Sequence, residues 1–164
     1  MISRRGFLAA AGGTALAALG VYRFRGGGLK APAQSGAVAP GTAVTVYKSP
    51  SCGCCTSWVE HMQAAGFAVT VHDDPVMDPI KDRLGVPKGV RSCHTAVVRD
   101  YLIEGHVPAG DVRRLLAERP AIAGLAVPGM PSHTPGMAPP GEPVGDFAVV
   151  SFTRDGATAT WARH

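Results

Sequence analysis

The segment Tyr47–Met62, "YKSPSCGCCTSWVEHM", decides how the rest of the chain is read. It carries three of the four cysteines, Cys52, Cys54 and Cys55, where one kind of periodicity gives way to another. Upstream, Thr42–Tyr47 alternates valines with polar residues and predicts a strand, which Ser49-Pro50-Ser51 breaks. Downstream, Trp58, Val59, Met62 and Ala65 recur on one face of a predicted helix over Cys54–Ala65, and Gly66 supplies a stop. The thiols therefore fall at a helix N-terminus, where unpaired amide N–H groups stabilise an anion. A thiolate is both a redox nucleophile and a metal ligand.

Three chemistries compete for these thiols. A structural staple is constrained by spacing: one residue separates Cys52 from Cys54 and none separates Cys54 from Cys55, and such short bridges are strained. A bridge from one of the three to Cys93 stays open. A redox pair needs C-x-x-C, which Cys52 and Cys55 supply, with Cys54 as a third thiol that invites disulfide exchange. In a metal site that third thiol is an added ligand, and soft thiolates select Cu(I) or Zn(II) over hard cations.

The remaining pattern supplies the scaffold. Phe67–His72 predicts a second strand and Pro79–Leu84 a short helix closed by Gly85. Thr95–Arg99 and Tyr101–Glu104 predict a hairpin around Asp100. Pro108–Arg119 predicts a helix with Pro108 in its first turn, Val112, Leu115 and Leu116 on its apolar face, and Pro120 at its end. Ala121–Pro143, "AIAGLAVPGMPSHTPGMAPPGEP", reads as a long proline–glycine loop. Phe147–Phe152 and Thr158–Ala162 read as a C-terminal hairpin turning at Asp155-Gly156.

Strand, helix, strand, helix, hairpin, helix is the order of a thioredoxin-type α/β domain, a central mixed sheet flanked by helices. Its cysteine motif lies where the first strand hands over to the first helix. A right-handed crossover puts the first two strands parallel in one sheet, and the later hairpin is added beside the first strand. The start of the third strand then meets the N-terminus of the first helix. Ser92-Cys93-His94 stand there, where the ordinary fold carries a proline, so Cys93 is expected to join the clustered thiols.

Other donors are weighed against plainer roles. His94 is either a ligand or a strand-edge histidine bonded to a backbone carbonyl. Met130, His133 and Met137, in "PGMPSHTPGM", offer thioether and imidazole groups suited to Cu(I), or else belong to a rigid cover with Met130 packed inward. His106, in "EGHVP", reads as a capping or structural residue. His72 and Met77, among Asp73, Asp74 and Asp78, read as part of a solvated loop, and His61 as a neighbour on the cysteine-bearing helix face.

Several separated blocks match a known pattern in order. "YKSPSCGCC", "SCHTAVV", "IEGHVPAGDVRRLLAERP" and "GLAVPGMP" resemble the CopG-like periplasmic metal-binding proteins of bacterial copper-resistance loci, over roughly Val44–Met137. The resemblance implies a thioredoxin-like fold, a C-x-C-C motif, a role in copper handling or redox, and a Cu(I) cluster bound by cysteines. The thiols it implies are Cys52, Cys54, Cys55 and Cys93. The chain departs from the family in the late loop, with Ser132-His133-Thr134 where a glycine–serine pair is usual and Ala138 where an acid is common.

Charge and composition bound the alternatives. At 164 residues the chain fits one domain plus a tail. Five of its sixteen basic residues, Arg4, Arg5, Arg23, Arg25 and Lys30, lie within residues 1–33, which contain no acid. The rest has eleven basic residues against twelve acidic ones, a net charge of −1 with no basic stripe, which argues against a nucleic-acid partner. No hydrolase triad signature, phosphate-binding loop or dinucleotide fingerprint is present.

The basic N-terminus has the form of a twin-arginine export signal: Arg4-Arg5 precede an apolar stretch, Gly6–Tyr22, that is shorter than the ~20 residues of a spanning helix. The domain plan is an export signal over residues 1–33, a linker over 34–41 and a thioredoxin-like metal-binding domain over 42–164. "APA" at Ala31–Ala33 offers a cleavage site, as does "AVA" at Ala37–Ala39, although Pro40 disfavours the second. An uncut signal would leave a membrane anchor. The expected location is the periplasm.

The leading expectation is an exported protein that holds Cu(I) on cysteine thiolates for copper resistance, storage or transfer. Its partners are copper ions and other periplasmic copper proteins. The alternative is a periplasmic thiol–disulfide oxidoreductase using Cys52 and Cys55, and a weaker one is a zinc-bound structural module. The export reading has a direct test. Replacing Arg4 and Arg5 together by lysine should leave the protein in the cytoplasm on fractionation, and normal periplasmic accumulation of that variant would overturn the twin-arginine reading.

Overall fold

A computed structural model describes residues 39–139 and 142–164. The expected export signal and most of the linker lie outside the described residues. The first strand, β1 (Ala43–Lys48), buries Val44 and Val46 and ends before Pro50. The first helix, α1 (Gly53–Ala64), begins inside the cysteine motif with Cys52 as its N-cap residue, and buries Cys55, Trp58, Val59 and Met62. The chain then forms β2 (Ala68–Asp73), α2 (Met77–Leu84), a short 3-10 turn at Lys88–Val90, β3 (Thr95–Val98), β4 (Tyr101–Glu104) and α3 (Ala109–Glu118). Gly85 closes α2 in the left-handed region with φ +73°, a conformation that glycine adopts without the Cβ clash.

One seven-stranded mixed sheet results, in the order β2-β1-β3-β4-β5-β6-β7, where β5 is Gly124–Ala126, β6 is Ala148–Phe152 and β7 is Thr158–Arg163. β1 runs parallel to β2 across the α1 crossover and antiparallel to β3. The third strand therefore starts beside the cysteine motif, as the thioredoxin-type order predicts. Alternation along the strands divides the core into two layers. Ala96, Val98 and Ile103 face α1 and α3, in one cluster with Trp58, Met62, Val112 and Leu115. Val97 and Leu102 face the other way, toward Leu84, Val86 and Val90 at the end of α2 and just beyond it. The domain is thioredoxin-like, with helices on both faces of the sheet.

The late loop needs a correction. Ala121–Pro143 is not irregular throughout, because Gly124–Ala126 forms β5, parallel to β4 and antiparallel to β6. All three of its residues are buried, so the strand carries no polar alternation to mark it. Gly124 is required here because a Cβ on it would lie 1.9 Å from the Leu102 carbonyl oxygen. The remaining described residues of the segment stay a loop.

Trp58 joins the helical layer to the segment that follows β4. Its ring is fully buried, and its indole N–H donates to the Val107 carbonyl at 2.9 Å. Trp58→Phe, which leaves that carbonyl without its donor, should cost about 1–2 kcal/mol. Trp58→Ala should cost about 3–5 kcal/mol, because a large cavity opens under the sheet. Urea unfolding checks both, as a fall in midpoint at unchanged slope.

Candidate metal centre

The N-terminus of α1 presents the cysteines in three environments. Cys52 and Cys54 are half-buried, whereas Cys55 points into the core with no exposure. Among the described residues no side chain caps the helix, and its first turn holds no acid, so no carboxylate offsets the positive end of α1 at the cysteines. A disulfide joins Cys52 to Cys55, and the Cys54 sulfur lies 3.6 Å from that of Cys52. Cys54 and Cys93 are free thiols.

Cys93 arrives from the sheet. The sulfurs of Cys52, Cys54, Cys55 and Cys93 all lie within 4.8 Å of one another. A second group shares two of them: ligating atoms of Cys55, Cys93, His94 and His106 also lie within 4.8 Å of one another. The two groups together make a continuous pocket of soft donors, half-exposed at Cys52 and Cys54 and closed at the histidines.

The register of the hairpin explains the second group. Val98 faces Tyr101 and Thr95 faces Glu104. Two positions further along each chain, Cys93 meets His106, with Sγ 3.1 Å from Nε2. His106, expected as a capping or structural residue across the hairpin, is brought by that register onto Cys93. His106 Nδ1 lies 2.8 Å from the Pro135 carbonyl, which can only accept. Nδ1 therefore carries the ring proton and Nε2 turns a bare lone pair toward Cys93, the arrangement of a histidine ready to ligate. His94 Nδ1 lies 3.3 Å from the same sulfur. Its ring is fully buried against Trp58, and its Nε2 has no hydrogen-bond partner among the described residues.

Burial sets the protonation states. It pushes the His94 pKa well below the ordinary value, reinforced by His106, Lys81 and Lys48, and it lowers that of His106, partly offset by the Pro135 carbonyl. Both rings are neutral at pH 7, which is the ligating form. Burial also pushes the Cys93 thiol up to about 11, with the neighbouring Cys54 adding to the effect.

The late loop covers this pocket unevenly. Gly136 lies against the first turn of α1, where a Cβ would come within 2.6 Å of the Trp58 nitrogen and 3.0 Å of the Cys54 carbonyl oxygen. Met137 follows it, half-buried. Met130 is 47% exposed, contrary to the inward packing considered for it. His133 is not gathered with the cysteines. Its Nε2 lies 3.0 Å from Glu142 and its Nδ1 3.2 Å from Ser132. His61 also serves elsewhere, accepting the Ala109 N–H at the start of α3. His72 is exposed and stacks on Tyr47.

A family model described as "Protein of unknown function, DUF411" matches residues 90–137, which run from just before Cys93 to Met137. Among solved structures, the chain is similar to the copper resistance protein CopG in two forms. Form 1 is 42% identical with a TM-score of 0.69, over 77% of this chain and 98% of CopG. Form 2 is 41% identical with a TM-score of 0.68, over 76% of this chain and 98% of CopG. No curated protein matches the chain.

The state of Cys93 can be read by labelling. In the disulfide form at pH 8, a thiol with pKa about 11 loses roughly two orders of magnitude in thiolate fraction and regains about one in nucleophilicity. Cys93 should therefore alkylate about tenfold or more slowly than an unperturbed cysteine, and its rate should climb steeply to pH 10. Stability follows the same sign. Above the ordinary thiol pKa the unfolded chain has lost a proton that the folded chain keeps, so stability should fall as pH rises toward about 11. A Cys93 rate that levels off near pH 9 would overturn this.

Proposed function

This chain belongs to the family of the copper resistance protein CopG, and on that footing we propose that it is an exported protein that takes up Cu(I) on cysteine thiolates. Its role is copper resistance, storage or transfer in the periplasm. The observation that carries the reading is the mutual approach of Cys52, Cys54, Cys55 and Cys93 within 4.8 Å. Four soft sulfurs with no carboxylate among them suit Cu(I) and bind hard cations poorly. At such separations one thiolate can bridge two ions, so more than one Cu(I) per chain is expected. His94 and His106 add neutral nitrogen donors behind the sulfurs.

The disulfide imposes a condition. Cys52 and Cys55 must first accept two electrons and two protons to become thiols, and only then does the set hold four potential thiolates.

The same bond favours a second reading, a thiol–disulfide oxidoreductase. Cys52, half-exposed at the helix start, is the sulfur a partner thiol can attack, and buried Cys55 is the one released as the mixed disulfide forms. Zinc has a weaker claim through the Cys55, Cys93, His94 and His106 set, which has the composition of a tetrahedral zinc site.

Anaerobic titration separates the three. Fully reduced protein should bind more than one Cu(I) in competition with a chromogenic chelator, zinc should not displace it, and the disulfide form should bind less. Cys93→Ser should lower capacity about as much as Cys54→Ser. Turnover of a disulfide substrate without copper, together with unchanged copper capacity in Cys93→Ser, would overturn the copper reading in favour of the oxidoreductase. Displacement of copper by zinc would favour the structural module.

A further inference from the structure

Beneath the pocket lies a charged pair that the copper reading does not use. Lys81, on α2, and Glu104, at the end of β4, form an ion pair with side chains 4% and 0% exposed. Glu104 spends both carboxylate oxygens on the segment around Cys93. Oε1 accepts the Ser92 N–H at 2.6 Å as well as Lys81 Nζ, and Oε2 accepts the Thr95 hydroxyl at 2.6 Å. Lys81 Nζ donates a further bond to Thr95 Oγ1 at 2.9 Å. One carboxylate thus grips the residue before Cys93 and the residue after His94. The Ser92 backbone N–H is thus the bond that ties this residue to the carboxylate.

A buried ion pair is an expensive way to stabilise a fold. Desolvation offsets most of the attraction, and well-packed apolar replacements of the whole pair are often as stable or more so. What such a pair supplies is placement. On β3 and β4, Thr95 and Glu104 share the alternation of Val97 and Leu102, away from Trp58 and toward α2. The clamp therefore holds the Cys93 segment from behind the sheet, while α1 and the late loop close over its front.

We infer that Glu104, anchored by Lys81, is the positioning residue for Cys93, fixing the Ser92–Cys93–His94 segment so that its sulfur faces both His106 and the cysteines of α1. The inference rests on the proposed function for its metal readout alone. The labelling readout below needs no copper, so failure of one reading is distinguishable from failure of the other.

The test compares two double variants that differ only in the residue at position 104. Lys81→Met with Glu104→Leu removes both charges and the acceptor for Ser92. Lys81→Met with Glu104→Gln removes both charges but keeps an oxygen for the Ser92 N–H. Thermal unfolding confirms folding, and Cys93 labelling is measured relative to Cys54 in the same disulfide-containing protein. The leucine form should raise that ratio about tenfold and, when reduced, weaken Cu(I) binding about tenfold, whereas the glutamine form should stay within about threefold of the parent. Should the leucine form not fold, Thr95→Val keeps the shape, removes one anchor and should raise the ratio about threefold. A folded leucine form, or failing that a folded Thr95→Val, with the parental labelling ratio would reduce the clamp to core packing. Equal changes in the leucine and glutamine forms would assign the effect to lost charge and overturn the positioning role. If the parent binds no Cu(I), the labelling comparison still decides the inference.

Discussion

The pairing of β3 with β4 is the constraint from which the rest of the site follows. A hairpin's side chains alternate with period two, so its register fixes which residues meet at its open end. Here that end sets Thr95 across from Glu104, His94 beside Gly105 through the Gly105 N–H to His94 carbonyl bond, and Cys93 on His106. A slip by one residue would turn every one of these groups to the opposite face. The hairpin is held on both sides, by β1 next to β3 and by β5 next to β4. The short hidden strand β5 thereby matters to the pocket although none of its residues belongs to it.

The site is assembled from two unlike halves. The helix half brings Cys52, Cys54 and Cys55 as a local sequence feature, supported by the open N-terminus of α1. The sheet half brings Cys93, His94 and His106, whose surroundings hold them uncharged. Trp58 bridges the halves, with its ring on His94 and its indole N–H on the residue after His106. The pocket thus combines a wet edge, where thiols can react, with a dry interior, where neutral donors wait for a cation.

Much of this was legible in the chain, and the failures have physical causes. Strand and helix periods identify β1, α1, β2, α2, the hairpin, α3 and the last two strands. β5 escapes because a three-residue strand buried on both faces looks like any apolar patch in a Pro/Gly segment. The meeting of Cys93 with the cysteine trio follows from topology, since the crossover and the β1–β3 pairing set the start of β3 beside the N-terminus of α1. The meeting with His106 was also within reach: the hairpin pairing, extended past Glu104, lands His106 on Cys93. Lys81 and Glu104 lie 23 positions apart on different elements, and no local pattern pairs them. His133 is the opposite case, a ligand-type residue whose ring is engaged by a carboxylate nine positions later. Spacing offers Cys52 and Cys55 to each other, but only the folded geometry shows them joined.

The division of the site between a helix turn and a distant hairpin also bears on how the protein folds. Cys55 and Cys93 are brought together by the β1–β3 pairing, across roughly a third of the domain's sequence. Such non-local pairings carry a large loop-closure cost and form late, whereas the α1 turn and the β3–β4 hairpin can form on their own. A nascent chain therefore displays its cysteine trio before Cys93 arrives, and in that interval wrong disulfides and premature metal capture compete with docking. A route that exports proteins already folded would confine that interval to the reducing side of the membrane.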